Sequence, residues 1–215
     1  MPIRSNRRFS ALALLGAATL AWPGASRAAE TPLSAPPPWP VAKDSPVTLA
    51  TDPVRPLLMG GLRVTLDGST LTDIRQQIGT GERQRQGKGT DALDWLCYTV
   101  PDATPAQRLW LTSSELARGR IDAVVATDLP SGVVATPQCP DLPARFRPVR
   151  FEDGLWLGAI SAELRKALGI PAKPGPTFSA LFQGQTGNLQ MVSSTVMAFR
   201  AGRTVSLHVA HSSQN

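Results

Sequence analysis

The chain is poor in the side chains that hydrolases and metal sites use most: two histidines and two cysteines in 215 residues. His208 and His211 are three apart in a segment with strand character, so they fall on opposite faces and cannot clamp one ion as a helical pair would. No Gly-x-Ser-x-Gly elbow, no Cys-x-x-Cys and no Cys–His or carboxylate pair at a useful spacing is present. Gly87-Lys-Gly-Thr90 lacks the spacing of a phosphate loop. These absences leave no residue assigned as catalytic and imply neither metal nor cofactor. A non-enzyme is expected.

Nor is there a real excess of one charge. The formal charge of +6 comes from 22 basic and 16 acidic residues, but Arg4, Arg7, Arg8 and Arg27 lie in the first 28 positions, which hold no acid. Without that segment the balance is 18 to 16, too even for a nucleic-acid footprint. No nucleic-acid partner is expected.

Long apolar runs are missing beyond Ala11–Trp22, and that one is too short to span a bilayer, which takes roughly 20 residues. A positive start, this apolar stretch, Pro23-Gly24 and the small-x-small Ser26-Arg27-Ala28 together read as a Sec-type signal peptide cut after Ala28. Arg7-Arg8 is followed by the bulky residue one place too early for a twin-arginine signal. With no Cys at the cleavage point, no lipid anchor is expected, and no stable membrane anchor follows later. The address is periplasmic or secreted. In such a compartment Cys97 and Cys139 read as a disulfide. It would close a loop of about 43 residues and add on the order of 4 kcal/mol in the chain-entropy limit.

What is present is proline, then a repeat. Glu30 to about Leu58 carries eight prolines, which exclude a helix or an interior strand and suggest an extended tether. Gly68-Ser-Thr-Leu-Thr-Asp-Ile-Arg-Gln-Gln-Ile-Gly79 then aligns without a gap with Gly158-Ala-Ile-Ser-Ala-Glu-Leu-Arg-Lys-Ala-Leu-Gly169. Leu71, Ile74 and Ile78, and Ile160, Leu164 and Leu168, recur at helical spacing. Ser69 or Thr70 can cap the first helix, with Asp73 at its positive end, and Gly79 suits a left-handed exit. Asp73, Glu163, Arg75 and Arg165 read as helix-end and solvated positions.

Strands are expected at Asp94–Val100, Arg108–Ser114 and Arg120–Asp128, and again near Thr177–Gln185, Met191–Arg200 and Arg203–Ser212, with Thr80 to Asp91 a solvated loop. Alternation puts Leu96, Tyr98, Val100, Leu109, Leu111, Ile121, Ala123 and Val125 under the first helix, and Val192, Val196, Val205, Leu207 and Val209 under the second. Trp95, Cys97, Trp110, Thr112, Asp122 and Val124 would face away in the first half. Ser193, Thr195, Met197, Phe199, Ser206 and His208 would do so in the second. The expected fold is α+β: two tandem units of a helix plus a three-stranded antiparallel sheet. The order is signal peptide 1–28, proline-rich segment 29–58, repeat one 59–129, proline-rich connector 130–148 and repeat two 149–215.

Gly-x4-acid-Ile/Leu-Arg-x2-Leu/Ile-Gly followed by three strands, the last hairpin ending Gly-Arg-hydrophobic, resembles the family that includes the β-lactamase inhibitor protein and the BamE (SmpA/OmlA) lipoproteins. The resemblance covers about residues 60 to 212, and Leu168-Gly-Ile-Pro171 makes the second copy the nearer match. It implies an exported protein that binds another protein on an open sheet face. The lipid-bearing Cys of BamE is absent, and fold does not fix partner.

The function expected is an exported, non-catalytic protein-binding module whose partner is an envelope or secreted protein. Trp95 and Trp110, neighbours on adjacent strands, are candidate interface anchors together with Thr112 and Phe199. Burial of the tryptophans against the proline-rich segment or the other repeat is the competing reading. A small-ligand or glycan-binding protein using the Ser/Thr-rich face of the second half is the alternative, and an envelope hydrolase is less favoured.

Overall fold

The computed structural model describes residues 34–38, 45–168 and 175–214, with no side-chain placement for 165–167. The signal segment and Gly169-Ile-Pro171 lie outside the described residues, as does Met1–Pro32, one of two units into which the chain divides. The other, Leu33–Asn215, is one compact unit.

That unit is mostly β. In chain order it runs β1 (Val47–Thr48), β2 (Leu57–Met59), β3 (Leu62–Val64), α1 (Leu71–Ile78), β4 (Gln84–Gln86), β5 (Leu93–Val100), β6 (Gln107–Ser114) and β7 (Ala123–Asp128). There follow β8 (Val149–Phe151), α2 (Ser161–Leu168), β9 (Thr177–Thr186), β10 (Leu189–Arg200) and β11 (Arg203–Gln214). An eight-stranded mixed sheet has the order β1-β9-β10-β11-β7-β6-β5-β4, and a three-stranded sheet the order β3-β2-β8.

Two separate helix-plus-three-strand units are therefore not what forms. The strands after α1 and those after α2 fuse edge to edge, because β11 pairs antiparallel with β7 from Ser206↔Thr127 to Ala210↔Ala123. The small sheet crosses the supposed boundary too, with Leu57↔Phe151 and Met59↔Val149 joining β2 to β8. A free strand edge exposes unpaired amides and carbonyls, and mutual pairing removes two such edges at once. Two other expectations change with this. The Thr80–Asp91 stretch contributes β4, and the proline-rich segment supplies β1, parallel to β9, and Leu57 and Leu58 of β2, the middle strand of its sheet.

Both helices, the small sheet and one face of the large sheet enclose the main core, in which Leu57, Met59, Leu71, Ile74, Ile78, Leu96, Tyr98, Leu109, Leu111, Leu207 and Val209 are essentially inaccessible. Helix α1 starts and stops where its sequence requires. Thr70 accepts from the Asp73 amide at 3.1 Å, and Gly79 leaves the helix at φ 81°, which costs a residue without Cβ little.

The alternation of faces departs from the sequence reading at two bulges. In β7, the Asp122 amide reaches Thr112 O at 3.0 Å while Ala123 is the ladder partner of Thr112, so an extra residue is absorbed there. Val124 and Ala126 consequently join the main core and Val125 the opposite face. In the β10–β11 ladder, Ala198 pairs with Ser206 and Phe199 with Thr204, so Val205 of β11 is the extra residue. Met197 then faces Leu207 and Val196 faces His208, so Ser193, Thr195 and Met197 are buried on the helix side and Val192 and Val196 turn away. One residue slipped inverts every later side chain.

Candidate binding face

The second face of the large sheet is covered only in part. Over β5 and β6 it packs a small cluster of Trp95, Cys97, Trp110, Val125 and Cys139. Cys97 and Cys139 are disulfide-bonded, with Cα atoms 4.7 Å apart. The connector they anchor is stitched to β5: the Thr99 amide donates to Pro140 O at 2.8 Å, and the Leu142 amide to Thr99 O at 2.7 Å. Among the described residues no helix is long and apolar enough to cross a membrane.

A strap of residues 34–38 lies across the same face. Trp110 Nε1 donates to Ser34 O at 2.8 Å, the Ser34 hydroxyl bonds Gln84 Oε1, and Gln84 Nε2 in turn reaches Gln138 O at 2.8 Å. The predicted anchors are consequently not surface groups. Trp95 is 1% exposed and Trp110 4%, covered by the strap and the connector. Thr112 is buried, its hydroxyl 3.4 Å from Ala123 O. Phe199 is half-buried and packs against the main core on the other side of the sheet. Of the four, the two tryptophans and Thr112 share a face; Phe199 does not join them.

Beyond the strap this face continues over β9, β10 and β11, and here it is partly accessible. Ser179, Leu181, Ser194, Ala198, Ser206 and Ala210 are half-buried, while Gln183 and Ser212 are exposed and Val192 is 40% exposed. The alternating positions carry no charged side chain from Thr177 to Gln185 on β9, from Val192 to Ala198 on β10 or from Ser206 to Ser212 on β11. The one titratable group among them is His208, buried, its imidazole pushed down to about 4 by loss of solvent and therefore neutral at pH 7. The bulge at Val205 of β11 brings these positions of β10 and β11 onto one side, so periodicity read without it places the wrong residues outside.

Where strap meets sheet there is a cleft of about 370 Å3. Arg108 and Trp110 of β6, Thr127 of β7 and Ser206 and His208 of β11 line it, with Pro37 and Pro38 as its outer wall.

On the core side of the sheet, His211 is held by two side chains. Its Nδ1 lies 2.8 Å from Ser193 Oγ and 3.5 Å from Asp52 Oδ2. A hydrolytic relay needs the hydroxyl and the carboxylate on different ring nitrogens. Here both meet the same one, and Ser193 is fully buried. The trio ties the loop before β2 to the sheet and makes no nucleophile. Among the described residues no cluster of three or more His, Cys, Asp or Glu is placed to hold a metal ion.

No family model matches this chain, and no curated protein or solved structure does either.

Proposed function

We propose that this is an exported, non-catalytic binding protein whose partner, an envelope or secreted protein, docks on the face formed by β9, β10 and β11. One observation carries the reading: a sheet surface three strands wide, partly accessible and without a formal charge. Ordinary exposed surface is studded with Lys, Glu, Asp and Arg, whereas the core of a protein interface is depleted of charge. Export is supported by Met1–Ala28 as a signal sequence and by the disulfide, a bond that persists in oxidising compartments.

The glycan reading is weaker because its aromatic platform is missing. Trp95 and Trp110 are covered, and Phe199 belongs to the other face. The test of the docking reading is affinity capture from envelope extract with the wild-type protein and with Ser194→Arg. Ser194 lies mid-face and half-buried, so a guanidinium there can reach solvent without entering the core. A partner held by wild type and lost by Ser194→Arg, at unchanged thermal midpoint, supports the face. Equal retention by both proteins removes it.

A further inference from the structure

We propose that the cleft beneath the strap binds the carboxylate of a small organic acid, with Arg108 as its countercharge. This site goes beyond the docking face and does not depend on it. Arg108 is the second residue of β6, opposite Thr127, and is only 7% exposed. One terminal nitrogen, Nη2, reaches Val134 O at 3.3 Å, and Nε is buried with no hydrogen-bond partner. No ion pair to Arg108 exists among the described residues, although Arg63, Arg83, Arg85, Arg120 and Arg147 each have an acid within reach. A buried guanidinium with no anion is costly, since the loss of hydration is not recovered in attraction. The cleft along this side chain is where a bound anion would offset that cost.

The lining selects the class of anion. Among the described residues of the cleft wall Arg108 is the one charged group, so a monoanion matches it, whereas a phosphate dianion would be under-neutralised. The Ser206 hydroxyl can donate to a carboxylate oxygen, whereas that of Thr127 donates to the Asp128 and Val205 carbonyls, each at 3.3 Å. Trp110, Pro37 and Ala198 offer apolar contact to the body of the acid. A volume of about 370 Å3 falls in the range of small-molecule pockets, roughly 300–1,000 Å3. Desolvation lowers the affinity of Arg108 for its proton, the direction expected of a buried cation awaiting its counter-ion.

Calorimetric titration of the purified exported protein at low salt tests this, using benzoate against its neutral isostere benzamide. Benzoate should saturate a single site and benzamide bind at least tenfold more weakly. Arg108→Gln should weaken benzoate at least tenfold, and Arg108→Lys should restore part of the loss. Should Arg108→Gln fail to fold, Ala198→Phe fills the cleft from the half-exposed side and should abolish benzoate binding with the guanidinium intact. Equal binding of the two probes, no saturable benzoate site, or benzoate binding untouched by Ala198→Phe would each overturn the assignment. None of these readouts involves a protein partner, so a failure here and a failure of the docking face are told apart.

Discussion

At the scale of single residues, the two tryptophans of the small cluster are chemically alike and differently employed. Trp110 spends its indole N–H on Ser34 O and so holds the strap. Trp95 Nε1 is buried with no hydrogen-bond partner, so its value is apolar volume alone. Replacing each by Phe removes similar bulk but only one hydrogen bond, worth ~0.5–1.5 kcal/mol. Trp110→Phe should therefore lower the urea midpoint more than Trp95→Phe does, and the opposite ranking would show the strap contact to be idle. That Trp95 and Trp110 share a face was legible from their spacing in β5 and β6. Their burial against the proline-rich segment stood only as the competing reading, undecided because that segment is remote in sequence and carries no periodicity.

His208 sets a pH dependence at the same scale. Its folded pKa, about 4, lies below the ordinary value near 6.5. Between those values the unfolded chain takes a proton that the folded one refuses, so stability is full above about pH 6.5 and falls as pH drops toward 4. The loss amounts to at most ~3 kcal/mol. Asp128, whose carboxyl is raised by burial, works in the opposite sense. The comparison with His208→Gln isolates the imidazole: the variant should show a flatter midpoint-against-pH curve over this window, and parallel curves would deny His208 the role.

At the scale of elements, the sequence wrote some signals plainly. Thr70, Asp73 and Gly79 are start, charge and stop of α1, each acting within one turn of chain. The small edge strands β1 and β4 were hidden because they borrow their order from β9 and β5, with too few residues for any alternation of their own. The bulges at Asp122–Ala123 and at Val205 of β11 were hidden for a different reason. A bulge is decided by how the hairpin turn meets the ladder, and apolar patterning carries straight through it. The connector between β7 and β8 is the element most dependent on covalent chemistry, since Cys97 and Cys139, both fully buried, close its loop over β5. Replacing both by Ala should cost ~2–5 kcal/mol, read as a lower thermal midpoint with a red-shifted tryptophan emission as the cluster of Trp95 and Trp110 opens. An unchanged midpoint would show that the backbone bonds of Thr99 hold the connector alone.

At the scale of the whole molecule, the pairing of β7 with β11 turns what reads as two units into one sheet. Neither half buries its own strand edge, and each is near the size at which burial barely offsets chain entropy. The fusion also makes the candidate interface: the uncharged surface of β9 to β11 runs on from the strap-covered surface of β5 to β7, with Arg108 and its cleft at the junction. Composition alone hid that surface, because serine, alanine and valine are unremarkable until the register brings them side by side.

The most direct measurement is site-specific photocrosslinking in the native envelope, with the crosslinker placed at Ser194 on the uncharged face and, in a parallel protein, at Gln76 on the exposed side of α1. The docking reading expects a discrete adduct of one partner from Ser194 and none from Gln76. Adducts of equal yield from both positions, or none from Ser194, would contradict it.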